Sequence, residues 1–340
     1  MMKISENSFD IISLIAAVDV MVAHTVAHSL PGGGADFPLW RFIAPAPAVA
    51  VMFAISGFLV TASYEKCPCL LDFYKKRVVR IYPLLIVAVT IPVIIYLSLG
   101  LLPYEPIQII IECTKTIFIG SFGKYTVPAG AIGNGSLWTI AIQMQFYLLT
   151  PIIFKLLKNR KVITLVFLGA IAENLLSLQF EKVLTGPFAR IYSLSCLPYL
   201  YMYLFGAIVY VYREFLLEKL EKYFWCFGII YALIHWGLAL DLRFAWKYIN
   251  PISSFLIMSI AIGAAFKFGN HRLKMDLSYG IYLWHLPVFD FIHVVLGVKY
   301  SLSYLLMVWI ITFVIAGVSN LGVEKPISRY MVNKQRQAAK

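Results

Sequence analysis

The chain has 340 residues, 61% of them hydrophobic and only 14% charged, with a mean hydropathy of +0.80. Ordinary soluble domains carry roughly 25% charged residues, so a soluble core is excluded: it would have more apolar surface than it could hide. The net charge of +12 would suit nucleic acid on a soluble protein. Here the positive residues fall in short blocks between apolar runs, which is a topology signal, and no nucleic-acid partner is expected.

In chain order, the N-terminus does not read as a signal peptide. Lys3 is balanced by Glu6 and Asp10, and the following apolar run is interrupted by Asp19 and His24, where a cleavable segment is short and clean. Hydropathy windows place ten candidate spans at 10–29, 43–62, 81–100, 136–155, 162–179, 196–212, 223–240, 250–268, 277–297 and 302–322. The stretch 107–119 is too short and polar to span and is expected at the interface. With the N-terminus inside, 21 of the 29 Lys and Arg residues fall on the cytoplasmic side, as the positive-inside rule requires. The expected fold is an all-α polytopic bundle of about ten transmembrane helices with both termini cytoplasmic. A single membrane domain covers 1–330, and a short basic tail, 331–340, is expected to be disordered. The C-x-C pair Cys67 and Cys69 lacks the spacing of redox or zinc sites, and the five cysteines read as small apolar residues.

Ionisable groups inside spans usually face the bundle interior or water. His24 and His28 lie one turn apart on one face of the first span, and Asp19 points elsewhere. Two histidines at this spacing can bind metal, but no acidic or cysteine ligand lies near, and no metal site is expected. Arg77 and Arg80 share a face, with Lys76 four residues before Arg80. They read either as a cytoplasmic anchor or as a clamp for phosphate groups. Ser136, Thr139, Gln143, Tyr147 and Thr150 form a polar stripe that either joins helices by hydrogen bonds or lines a polar cavity. Ser278, Tyr282 and His285 share a face of the ninth span, with His285 near mid-membrane, a candidate for handling protons. Asp290 and His293 lie on a partly different face.

Six blocks, in order, resemble the acyltransferase-3 family of bacterial membrane O-acyltransferases: FDIISLIAAVDVMVAH (9–24), VAVMFAISGFLV (49–60), FYKKRVVRIYPLL (73–85), NGSLWTIAIQMQFYLLTP (134–151), LSYGIYLWHLPV (277–288) and VEKP (323–326). The resemblance covers nearly the whole chain. It implies transfer of an acyl group, often acetyl, from cytoplasmic acyl-CoA to a hydroxyl of a surface or exported glycan, in the bacterial cytoplasmic membrane. Acyl-CoA would be a co-substrate, with no tightly bound cofactor. His24 matches the family's catalytic histidine, and Arg77 and Arg80 match its proposed donor contact. Ser136 to Trp138 match its Ser-Leu-Trp block, and His285 matches its ninth-span histidine.

Transfer to a hydroxyl needs a base, donors for the oxyanion and cations for the donor's phosphates. His24 is the expected base, Arg77 and Arg80 the phosphate clamp, and His285 with Tyr282 a secondary polar group. His28, Ser136, Trp138 and Gln143 are the expected pocket lining. Because the arginines lie near the inner face and His24 in the outer half, a tunnel between them is expected. Two departures stand out: Ser13 replaces an arginine common in the family, and Gln143 replaces a glutamate. They keep a second reading open, a degenerate member that binds without transferring. A proton-coupled transporter is a third. The acyl group, the particular glycan and the oligomeric state are not legible, and Asp19 has no assigned role.

Overall fold

In the computed structural model, residues 7–30, 47–67, 69–238, 250–269 and 271–338 are described, and every regular element among them is helical. The helices are α1 (Phe9–Ser29), α2 (Ala48–Glu65), α3 (Leu70–Ser98), α4 (Pro106–Ile119), α5 (Trp138–Leu157), α6 (Arg160–Val183), α7 (Gly186–Ser193), α8 (Leu200–Val211), α9 (Arg213–Lys222), α10 (Phe224–Ala232), α11 (Pro251–Lys267), α12 (Ser278–Asp290), α13 (Leu302–Ser319) and α14 (Lys325–Ala338). Three of their starts carry a side-chain cap, two of them on asparagine. Asn250 accepts from the N–H groups of Ile252 and Ser253, with Pro251 as the first helical residue of α11, and Asn159 does the same for α6. α4 stops at Gly120, whose φ of 71° lies in the left-handed region.

Among the described residues, six segments are long and apolar enough to cross a membrane: Phe9–Ser29, Ala48–Glu65, Leu70–Ser98, Gly135–Leu157, Gly186–Val211 and Leu302–Met331. The other four expected windows also hold helices. The window 162–179 is met by α6, a helix of 24 residues. The window 250–268 is met by α11, of 17 residues. α10 and α12 are short, and each continues into one π-helical turn, Leu233–Gly237 and Phe291–Val295. The first residues of the window 43–62 and the last two of 223–240 lie outside the described residues.

Two smaller expectations have outcomes. The stretch 107–119 is helical, as α4, and its 14 residues rise only about 21 Å, short of a hydrocarbon core of about 30 Å. The tail expected to be disordered instead continues α14 to Ala338, because Lys, Gln, Arg and Ala are all good helix formers. Residues 339 and 340 lie outside the described residues.

The chain divides into two compact units. The first comprises Met1–Asp19, Phe37–Phe73 and Ile142–Lys274; the second comprises Val20–Asp36, Tyr74–Ala141 and Met275–Lys340. In the first unit, α2 and α8 cross backbone to backbone. A Cβ on Gly57 would lie 2.0 Å from the Tyr203 carbonyl oxygen, and one on Gly206 would lie 1.8 Å from that of Ala54. Only glycine permits such an approach, the device by which helices pack when no hydrophobic driving force separates them from lipid. Phe9 closes the same core, 5.1 Å from the Phe58 ring and 5.5 Å from that of Phe266.

In the second unit, α12 and α13 are joined both by packing and by polar contacts. A Cβ on Gly280 would meet Ala316 Cβ at 2.9 Å. Trp284 Nε1 donates to Ser319 Oγ at 2.9 Å, and Tyr304 OH donates to the Phe289 carbonyl at 2.7 Å. The C-terminal half of α1 is tied in by Trp309 Nε1, which donates to Thr25 Oγ1 at 2.9 Å.

Candidate active site

The second unit brings two histidines together across 261 residues of chain. His24 Nδ1 lies 3.1 Å from His285 Nε2, with the rings stacked 5.3 Å apart. His285 is fully buried, and its Nδ1 lies 3.1 Å from the Ile281 carbonyl oxygen. A carbonyl can only accept, so His285 Nδ1 carries a proton and donates it. In a neutral pair, His285 Nε2 is then an acceptor, and His24 Nδ1–H donates to it. The remaining lone pair of the pair sits on His24 Nε2. The carbonyl of one helical turn thus sets the tautomer of two rings.

A second hydrogen-bonded cluster surrounds this pair. The Tyr282 ring meets that of His285 edge-on at 6.1 Å. Tyr282 OH donates to the Ser136 carbonyl at 2.9 Å and is joined to Thr139 Oγ1 by a short hydrogen bond. Ser136 Oγ donates to Asn134 Oδ1 at 2.7 Å, and Asn134 Nδ2 donates to the Leu283 carbonyl at 2.9 Å. Asp290 completes the tether, its two carboxylate oxygens accepting from the N–H groups of Ile132 at 2.9 Å and Gly133 at 2.8 Å. Residues 132–139 are therefore bound, group by group, to the helix that carries His285. Ser136 is fully buried and Trp138, at the start of α5, half-buried. Asn134 and Asp290 had no assigned role in the sequence reading. Asp290 stood out only as an ionisable group in a span, and nothing local marked the backbone it binds.

His28 lies on the exposed side of the same face of α1, its ring 6.4 Å from Phe289. Gln143 belongs to the first unit, where its amide donates to Ser56 Oγ. Thr150 pairs with Tyr203 OH at 2.7 Å in that unit. The polar stripe of α5 thus takes the interhelical reading: Thr139, Gln143 and Thr150 each bond to another helix.

At the start of α3, Lys76, Arg77 and Arg80 line a cavity of about 420 Å³ together with Glu324 and Ser328. Arg80 is held there by two carboxylates. One terminal nitrogen donates to Asp276 and the other to Glu324, both at 3.0 Å. On α3 the cavity wall reaches no deeper than Leu84, and neither His24 nor His285 lines it. The tunnel expected between the arginines and His24 is not seen in that cavity. Among the described residues no cluster of three His, Cys, Asp or Glu side chains is placed to hold a metal ion.

An all-helical bundle with apolar helices of spanning length, a buried histidine pair and a basic cavity is the outline of a multi-pass membrane enzyme. Residues 6–323 match the family model described as an acyltransferase domain, and the chain belongs to the acyltransferase-3 family. It is 28% identical over 306 residues to Nodulation protein 10 of Rhizobium leguminosarum bv. viciae, covering 83% of this chain and 82% of that one. It is 27% identical over 303 residues to an O-acetyl transferase of Shigella phage Sf6, covering 83% and 84%. It is also similar to the O-acetyltransferase OatA of Staphylococcus aureus (strain NCTC 8325 / PS 47), at 25% identity over 351 residues. That match covers 92% of this chain but spans just over half, 56%, of OatA. No solved structure matches.

Proposed function

We propose that this acyltransferase moves an acyl group, most simply acetyl, from acyl-CoA to a hydroxyl of a surface or exported glycan. In this reading it lies in the bacterial cytoplasmic membrane with both termini inside and the shorter helices completing ten crossings. The observation that carries the reading is the histidine pair, whose free lone pair falls on His24 Nε2. That nitrogen takes the acceptor's hydroxyl proton as the oxygen attacks the thioester carbonyl. The C–S bond then breaks, and the departing thiolate takes a proton to leave as CoA thiol. His285 holds the ring of His24 and can receive its Nδ1 proton, so the positive charge spreads over two rings. Lys76 and Arg77 meet the donor's phosphates, while Arg80 is ordered at the rim by its carboxylates. Transfer then requires a path from that cavity to His24, opened when the donor binds. The names of the phage and staphylococcal relatives support acetyl as the group and oxygen as the acceptor atom.

The test is the ester content of surface glycans in cells carrying the normal chain, a His24→Ala chain or no chain. Esters lost in both altered strains support the reading; esters lost only without the chain remove His24 as base. A second reading, binding without transfer, is favoured by Ser13 and by Gln143, whose neutral amide bonds to Ser56. Restoring Ser13→Arg and Gln143→Glu together discriminates: a large gain in ester content supports degeneracy, and no gain supports a working variant.

A further inference from the structure

The basic cavity does not stand alone. A second cavity of about 520 Å³ follows it along α3, and the two share Val323 in their walls. On α3, the first is lined by Lys76, Arg80 and Leu84, and the second by Val87, Ile91 and Ile95. These residues recur every three or four positions, so they form one stripe down one helix face. The far wall is equally continuous. It passes from Ile315 on α13 through Gly322 and Val323 to Ile327 on α14.

The two ends differ in chemistry. In the wall of the first cavity three cations face one carboxylate, Glu324; a second carboxylate, Asp276, pairs with Arg80 from outside that wall. The second cavity is apolar throughout except for Tyr96, Trp284 and Ser319. It opens sideways through Ile91 and Val318, both exposed. Neither His24 nor His285 lines it, so it does not hold the reacting acyl carbon. From Lys76 to Ile95 the helix rises about 28 Å, more than half of a bilayer of about 40–45 Å. The groove is therefore long enough to hold a lipid of one leaflet, with a cationic end at headgroup level and an apolar remainder.

We propose that this groove is a binding site for one anionic phospholipid. Its phosphate sits with Lys76 and Arg77, and an acyl chain lies along the stripe past Gly322. Part of the argument rests on the proposed function: if the donor's phosphates use the same cavity, donor and lipid compete for it. The lipid site itself requires no transfer activity.

The experiment is native mass spectrometry of the full chain purified in detergent, with phosphatidylglycerol or phosphatidylethanolamine added. Two variants probe the two ends. Gly322→Leu places a side chain in the groove, where a Cβ meets nothing within 4 Å, so the fold is not strained. Lys76→Gln removes one cation from the head end. Phosphatidylglycerol should be retained by the normal chain in preference to phosphatidylethanolamine. Displacing two methylenes of a buried chain should weaken retention about tenfold in Gly322→Leu. Losing one lysine beside a lipid phosphate should weaken it about five-fold. Equal retention of the two lipids, or of phosphatidylglycerol by all three chains, overturns the proposal and leaves an ordinary belt lipid. Acetyl-CoA is added last. If it displaces the lipid, both readings stand. If it binds while the lipid stays, the lipid site stands and the placement of the donor at the arginines fails.

Discussion

The crossing of α2 with α8 and the surroundings of α12 solve the same problem, joining helices in an apolar medium, by different means, although Gly280 of α12 also packs against Ala316. At the crossing, glycines let two backbones touch, and specificity is steric. Around α12, the neighbours are held by named donors and acceptors: Asn134 on Leu283, Asp290 on Ile132 and Gly133, Tyr282 on Ser136. Steric packing tolerates no added atom but carries no chemistry. A hydrogen-bonded surround tolerates small changes of shape and can orient a proton. The histidine pair is found in the second kind of setting.

The largest effect expected from breaking this contrast is at the crossing. Gly206→Leu drives a side chain into the Ala54 carbonyl, which is backbone and cannot swing aside. The cost is about 3 kcal/mol or more, the upper end for overpacking. The folded yield in detergent should collapse, and with it any ester formation. In contrast, His285→Ala removes a fully buried ring from a polar setting and should leave the chain folded, with thermal unfolding shifted down by the cavity and the stranded His24 Nδ1–H. It deletes the acceptor of the His24 Nδ1 proton, so transfer by the chain that still folds should fall by about 10²-fold or more. The pH profile sharpens the point. If His24 is the base, as proposed, protonating its Nε2 occupies the lone pair that would take the acceptor's proton, so transfer should fall on acidification, and the shape of that limb should change in His285→Ala.

The glycine crossing was not legible in the sequence, whereas the polar groups of the second setting were, up to a definite limit. Periodicity places a residue on a helix face but does not say what faces it. His24 and His285 were therefore visible as unusual groups in spans, and the six blocks tied them to a family. Their contact across 261 residues was not visible, nor was the tautomer set by Ile281. The stripe on α5 was seen as one face, yet its members bond to different helices. The helical class was read correctly from composition. Of the ten expected windows, six are met among the described residues by helices of spanning length, and the other four hold helices as well.

A smaller effect is expected at Asp290, which joins the two kinds of contact by binding backbone with a carboxylate. Asp290→Asn keeps the shape but replaces one accepting oxygen with an NH₂ that faces another N–H. One buried donor is left unsatisfied, at a cost of about 1–3 kcal/mol. Thermal unfolding in detergent should shift down accordingly. Ester formation should fall less than in His285→Ala, because the histidine pair keeps its own hydrogen bonds.

The smallest effect is expected at Arg80, and it separates two roles that the spacing of the arginines made equivalent. Its side chain is 49% exposed, and its partners Asp276 and Glu324 are 31% and 8% exposed. Exposed pairs contribute at most about 1 kcal/mol after screening. Removing Arg80 also leaves Glu324 with less compensation, so the loss should lie near the top of that range. For donor binding the same pairing makes Arg80 a weak contact, since both terminal nitrogens already face carboxylates. Arg80→Ala should then raise the KM for acyl-CoA no more than about five-fold, the equivalent of that 1 kcal/mol. Arg77→Ala should raise it about tenfold or more, as expected for a charge-assisted hydrogen bond to phosphate. Steady-state kinetics with purified enzyme in vesicles would compare the two. Equal effects would restore the symmetrical clamp and make the carboxylates a resting contact that the donor displaces. A larger effect at Arg80 would move the phosphate contact to the rim.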